Sequence, residues 1–309
     1  MIISASRRTD IPAFYSEWFM NRIRNEYFYK VNPFNKNQVK GISLAPKDVD
    51  AIVFWSKQPK PMLPHLKELN EKGYNYYFQY TMNNYPEILE PNLPELSKRI
   101  EVFKKLSSQT SPKQVVWRYD PIIHSSITPI DFHLEKFDYI ASEICNYTER
   151  VVISFLDIYG KTKRKLKKLQ KNNDIEFKDI VEYNDKLIKI STEIKKIANN
   201  YGLEIESCGE LDNDSAKIIK PGACIDKDLI NDLFDLNLEV KKDKNQRSQC
   251  LCVNSEDMGS YDTCKFACTY CYANNSQKAV NNKTKKHNPE SSVLIGECDK
   301  NFYKQDSLF

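Results

Sequence analysis

Ile2-Ile3-Ser4-Ala5-Ser6-Arg7-Arg8-Thr9-Asp10 decides the fold. A short apolar, β-branched run gives way at its far end to a cluster of polar side chains. Strands buried on both faces read as nearly continuous apolar runs, as a parallel sheet requires. The same grammar recurs along the chain and predicts strands at Ile2–Ser6, Ala51–Trp55, Tyr76–Thr81, Gln114–Tyr119, Arg150–Phe155 and Leu203–Ser207. Between them Leu96, Ile100, Phe103 and Leu106 recur at helical spacing, as do Leu187, Ile190, Ile194 and Ile197, the second series closing near Gly202. Strand and helix alternate, which implies a parallel α/β architecture. Several strands end in polar residues (Ser6–Asp10, Ser56-Lys57, Arg118–Asp120), where the rim of a β/α barrel places its site. The expected fold class is therefore α/β, a partial (β/α) TIM-type barrel, open or complete.

The 309 residues, 40% of them hydrophobic, are enough for one large core or two modest ones and exclude a small disulfide-stapled scaffold. No run of about 18 apolar residues marks a membrane span, and Met1–Asp10 lacks the basic-then-apolar order of a secretory signal, so a cytoplasmic protein without membrane contact is expected. With 46 Lys+Arg against 42 Asp+Glu, the net charge of +4 is too small for a nucleic-acid footprint by itself. Seven Lys/Arg within Lys161–Lys171 read first as a solvated helix face, leaving nucleic acid as a weakly supported partner. Only eight glycines occur, none spaced as GxGxxG or GxxxxGK[ST], which removes the usual dinucleotide and triphosphate loops. After about residue 240 the chain changes character. An apolar-free stretch, Lys241–Arg247, precedes six of the nine cysteines. The reading divides the chain into a barrel core over 1–207, a cysteine-containing connector over 208–252 and a cysteine-rich cluster segment with a polar tail over 253–309.

Cys264-Lys-Phe-Ala-Cys268-Thr-Tyr-Cys271 places three thiols within eight residues. An iron–sulfur cube offers four irons, so three protein sulfurs leave one iron open, whereas a structural zinc or an electron-transfer cluster takes four protein ligands. The competing reading is a zinc knuckle completed by Cys252 or Cys298. The spacing resembles the hallmark of radical S-adenosylmethionine (SAM) enzymes. Tyr261 to Asn274, with an aromatic before the last cysteine and Tyr272-Ala273 after it, resembles the cluster loop of their spore photoproduct lyase-like branch. That loop ordinarily follows the first barrel strand; here it begins at residue 264. The segments that should follow it occur from residue 1 onward in their usual order. Ser4–Pro12 resembles the second strand with its Thr-Asp turn. Val53–Pro59 resembles the third strand with its Ser/Thr-Lys turn. Thr81, Leu89-Glu90-Pro91 and Arg99 resemble the fourth strand and its connection, and Trp117–Pro121 the end of the fifth. The resemblance thus implies a circularly permuted barrel. Nearly the whole chain is also similar to an uncharacterised bacterial family of domain-of-unknown-function proteins.

The resemblance further implies that Cys264, Cys268 and Cys271 hold a 4Fe–4S cluster whose open iron chelates SAM. Reductive cleavage of SAM would then give a 5′-deoxyadenosyl radical, with flavodoxin or ferredoxin as electron donor. Around SAM it implies Ser4, Ser6, Thr9 and Asp10 near the amino group, Asp10 as acceptor of the ammonium, Lys57 on the carboxylate, Arg118 on the carboxylate or ribose, and Thr81 nearby. Turn formation by Asp10 and surface ion pairs for Lys57 and Arg118 are the plainer roles. Cys208, Cys224, Cys250 and Cys252 are four further sulfurs, enough for a closed site, with a second, auxiliary iron–sulfur cluster, zinc and buried thiols as alternatives. Cys145 and Cys298 are read as non-ligands, and the substrate and its catalytic residues have no signature. The alternative function is a non-catalytic binding module stabilised by zinc or iron–sulfur, with nucleic acid as one partner.

Overall fold

All four residues of β1 (Ile2–Ala5) are buried, as an apolar run in the middle of a sheet must be. In this computed structural model, which describes residues 1–32 and 35–298, the chain is a mixed α/β fold of parallel strands flanked by helices. It forms two units. One comprises Met1–Tyr76, Ser255–Ala267 and the described chain from Ala273; the other comprises Tyr77–Asn254 and Cys268–Tyr272.

In the first unit β1 has a parallel partner on each side. Ile2 to Ala5 pair with Ala51 to Phe54 of β4 (Ala51–Ser56), and Ile3 and Ser4 pair with Glu256 and Asp257 of β10 (Glu256–Asp257). Helix α1 (Ile11–Phe14) is capped by Asp10 with Pro12 in its first turn, where a missing N–H costs nothing. Helix α2 (Ser16–Asn25) buries Trp18, Phe19, Met20 and Ile23 on one face. A hairpin, β2 (Tyr27–Asn32) and β3 (Asn35–Ser43), pairs antiparallel and lay outside the expected elements. Lys30 and Lys40 reach from it to Glu256 at 2.7 and 2.8 Å. Trp18 Nε1 donates to the carbonyl of Ser291 at 2.8 Å, and Tyr29 N to that of Ser292, so the polar tail is packed against this unit.

In the second unit the strand order is β5 (Tyr76–Thr81), β6 (Val115–Ile122), β7 (Arg150–Phe155), β8 (Glu204–Ser207) and β9 (Lys220–Pro221). Each is parallel to the next in sequence, with Thr81 opposite Arg118, Arg118 opposite Val152, and Ile153 opposite Ser207. Strand β6 runs past its expected end; Pro121 lacks an N–H for the ladder, and the register shifts between Tyr119 and Ile122. Trp117, fully buried, stacks on Phe137 of α5 (Ile130–Ile144) with centroids 4.6 Å apart. The two expected helices form as α4 (Leu96–Gln109) and α7 (Asn184–Asn200). Their buried stripes are Ile100, Phe103 and Leu106, and Leu187, Ile190 and Ile194, while Gly202 takes the left-handed φ of 68° that ends the second. Cys145 lies in a 3-10 turn after α5. The Lys-rich run forms α6 (Gly160–Asn173), anchored by buried Thr162 and Leu166. No helix among the described residues is long and apolar enough to cross a membrane.

Candidate functional site

At the end of β1 the sequence sets two serines on one face of the strand, and both point at one carboxylate. Ser4 Oγ donates to Asp257 Oδ2 at 2.8 Å and Ser6 Oγ to Oδ1 at 2.7 Å. The backbone amides of Arg7 and Gly259 donate to the same group at 3.1 and 2.8 Å. Four donors make a buried carboxylate tenable. Both serine hydroxyls are thus committed to Asp257. Sequence reasoning missed this residue, whose only signal is that it stands just before the cysteine-rich loop. Gly259 has to be glycine, because a Cβ there would overlap the Ser6 hydroxyl.

Asp10 accepts from the amides of Ala13 at 3.0 Å and Lys57 at 2.7 Å, so the same carboxylate caps α1 and ties the turn after β4. Burial pushes its pKa up to about 6 against the pull of these hydrogen bonds. The turn-forming role is the one on view. Its neighbour Thr9 is 5% exposed, and its Oγ1 has no hydrogen-bond partner among the described residues. An orphaned buried hydroxyl is uncommon and marks a position that a polar ligand would satisfy.

The loop around Cys264, Cys268 and Cys271 is held by neighbours within each unit. Within the first unit, Tyr15 Oη donates to the carbonyl of Thr263 at 2.7 Å and Asn274 Nδ2 to that of Cys264 at 2.7 Å. Phe14 packs on Phe266 with centroids 4.6 Å apart, and the Arg8 guanidinium lies 5.1 Å over Tyr261. Phe14 ends the short helix that Asp10 caps and Tyr15 follows it, which links the Ser4–Pro12 motif to this loop. Within the second unit, Thr269 N donates to the carbonyl of Leu89 at 3.0 Å, Tyr270 Oη donates to Glu90, and Lys165 Nζ to the carbonyl of Cys271 at 2.7 Å. Burial and the Glu90 carboxylate push the Tyr270 phenol well up, so it acts as a hydrogen-bond donor. Cys268 is buried, Cys264 and Cys271 are half-buried, and none of the nine cysteines is in a disulfide.

Cys208, Cys224, Cys250 and Cys252 lie in three separate stretches of sequence, and the fold of the second unit brings them together. Cys208 follows β8, its amide bonded to the carbonyl of Ile153 at 2.8 Å. The turn carrying Cys224 comes close because Gly222 N donates to the carbonyl of Ser207 at 2.7 Å; a Cβ at Gly222 would overlap the carboxylate of Glu206. From β5, Tyr77 Oη and Gln79 Nε2 donate to the Cys224 carbonyl at 2.7 and 3.0 Å. The Cys250-Leu251-Cys252 stretch is tied down by the amides of Asp243, bonded to the carbonyl of Cys252, and of Val253, bonded to that of Ile225. The sulfurs of Cys208 and Cys224 are 3.0 Å apart. Cys252 Sγ accepts from the amide of Ile225, the residue after Cys224, at 3.4 Å. Arg118 Nη1 donates to Cys224 Sγ at 2.8 Å, while its other edge grips Asp120 at 2.6 Å. The hydrogen bond shared with Cys208 and the Arg118 cation beside it hold the Cys224 thiol well below its usual range despite burial. The same shared bond, with burial, raises Cys208. Arg118, expected on a ligand carboxylate or ribose, therefore faces a sulfur. Thr81 is half-buried at the end of β5. Among the described residues no three Cys, His, Asp or Glu side chains already enclose a common point.

An α/β protein with parallel strands, polar strand ends and two sets of cysteines is the class that these features define. The chain belongs to the family described as a domain of unknown function, DUF1848, which it matches over residues 2–273. Neither a curated protein nor a solved structure matches it.

Proposed function

We infer that the protein is a radical SAM enzyme built on a circularly permuted partial β/α barrel, with Cys264, Cys268 and Cys271 as ligands of a 4Fe–4S cluster. The observation that carries this reading is the parallel pairing of β10 with β1, with the cysteine loop following β10 directly. A permuted barrel needs that arrangement, because the strand preceding the cluster loop must lie beside the strand bearing the Ser4–Asp10 motif. The contacts of the loop within each unit support the same reading, Thr263 and Phe266 meeting Tyr15 and Phe14 in the first, and Thr269 and Tyr270 bonding Leu89 and Glu90 in the second. Three cysteines outside any disulfide, on a loop whose carbonyls are fixed by Tyr15, Asn274 and Lys165, suit the donor set of such a cluster. When bound, the cluster supplies an electron to the sulfonium of SAM.

The residues of the chain have supporting tasks in this reading. Thr9 Oγ1 offers the unsatisfied buried hydroxyl for a polar ligand. Asp10 shapes the turn and lends negative charge where the ammonium of the ligand would approach, and Lys57 offers the cation for its carboxylate. Ser4 and Ser6 act through Asp257, holding β1 to the root of the cluster loop.

Anaerobic purification of the full chain, with iron and sulfide analysis and a dithionite-dependent assay for 5′-deoxyadenosine, tests the proposal. Iron, sulfide and that product are expected, all three lost in Cys268→Ala. A protein free of iron after anaerobic reconstitution, forming no 5′-deoxyadenosine, would reject the reading and leave a non-catalytic binding module.

A further inference from the structure

We propose that Cys208, Cys224, Cys250 and Cys252 form a tetrathiolate site for a single zinc ion within the second unit, separate from the loop at Cys264–Cys271. The sulfurs of Cys208 and Cys224 touch, that of Cys252 sits on the amide beside Cys224, and Cys250 stands two residues before Cys252, so the four together supply the four sulfurs that zinc takes. Four protein ligands leave no open position, which is the signature of a structural ion rather than a catalytic one.

The spacing favours one ion over a cluster. Zinc–sulfur bonds of about 2.3 Å in a tetrahedron set neighbouring sulfurs about 3.8 Å apart. Zinc would therefore part Cys208 and Cys224, now 3.0 Å apart, by less than an ångström. An iron–sulfur cube, with each cysteine on a different iron, spreads its sulfurs further. A disulfide would link only two of the four.

The surroundings are those of thiolates. Two N–H donors aim at sulfur, Arg118 Nη1 at Cys224 and the amide of Ile225 at Cys252, the latter at 3.4 Å. A zinc tetrathiolate carries two negative charges. Arg118, 4% exposed and held in place by Asp120 and by Gln79 Oε1, supplies a buried positive charge beside it. Outer donors of this kind fix ligand orientation and tune the ion. The peptide framework is also prepared, with the Cys224 carbonyl held by Tyr77 and Gln79 and the Gly222 turn pressed onto β8. Binding would replace the thiol protons and staple the end of β8, the turn at residues 222–225 and the connector at 250–252.

This inference does not depend on the SAM reading, and its test separates the two. The full chain is expressed with zinc and iron supplied, and both metals are counted. About one zinc per chain is expected, retained in the Cys264→Ala/Cys268→Ala/Cys271→Ala variant and reduced at least tenfold in Cys224→Ser and Cys252→Ser. Should those serine variants fail to fold, the unaltered protein serves. Alkylation mapped by peptide mass should spare Cys208, Cys224, Cys250 and Cys252 until a chelator extracts the zinc, while Cys145 reacts throughout. Zinc that survives both serine substitutions, labelling of the four that chelation does not change, or iron and sulfide bound at these four cysteines would each overturn the assignment. Loss of iron from the cluster loop alone would leave it standing.

Discussion

The two cysteine groups are assembled in opposite ways. Cys264, Cys268 and Cys271 come from eight consecutive residues, on a loop whose carbonyls at Thr263 and Cys271 are tied down by the distant side chains of Tyr15 and Lys165. Cys208, Cys224, Cys250 and Cys252 are scattered over more than forty positions, and β8, a glycine turn and a short connector carry them to one another. A loop whose chemistry lies in its own sequence can be moved along the chain as one piece, whereas a site made by convergence exists only while the second unit is folded. A metal on the first should therefore be lost with the surrounding fold intact, and one on the second should not.

The largest expected effect breaks the comparison at the loop. Cys268→Ala should abolish 5′-deoxyadenosine and remove the iron while leaving the zinc content and the thermal midpoint nearly unchanged, read by elemental analysis and calorimetry. Next comes Asp257→Ala, which strands the hydroxyls of Ser4 and Ser6 and the amides of Arg7 and Gly259. Unpaired buried donors are costly, and a loss of about 3–5 kcal/mol in denaturant unfolding is expected. A neutral outcome would show that the network at the root of the loop contributes nothing.

Asp10 gives a smaller, pH-dependent effect. Its folded pKa of about 6 lies above the ordinary 3.8, so between these values the folded state holds a proton that the unfolded state has released. Stability from this group is therefore present at low pH and falls as pH rises through about 6, by on the order of 2–3 kcal/mol. Asp10→Asn should flatten that part of the stability curve relative to the unaltered protein, as measured by urea titrations between pH 4 and 7. The smallest pair sharpens the contrast between the sites. Gly222→Ala and Gly259→Ala each force a methyl into a filled position, at about 1–3 kcal/mol. The former should lower zinc retention with iron unaffected, and the latter the reverse.

Much of this was legible in the residues because one signal dominated. The six apolar runs became β1, β4, β5, β6, β7 and β8 within a residue or two, apart from the extension of β6, since burial on both faces leaves little room for polar side chains. The hairpin at Tyr27–Ser43 was missed because Tyr27, Tyr29 and Lys30 interrupt any clean alternation, and its place comes from tertiary contacts such as Lys30 with Glu256. Two-residue strands such as β10 carry no periodicity at all, which hid Asp257. The direction of a side chain was the other blind spot. Ser4, Ser6 and Arg118 stand at strand ends as expected, yet the serines face Asp257 and the guanidinium faces Cys224, choices that sequence spacing does not encode. Nor could a linear reading order four dispersed cysteines into a chain of contacts.

The partnership of β10 with β1 also sets a schedule for synthesis. The carboxylate that Ser4 bonds is made 253 residues after it, so one edge of this strand must wait through that stretch of translation with its amides unpaired. A nascent chain in that state is open to pairing with its neighbours on the polysome. A chaperone that shields this edge, or slow production of the segment bearing Asp257, should therefore govern how much of the protein reaches its native form.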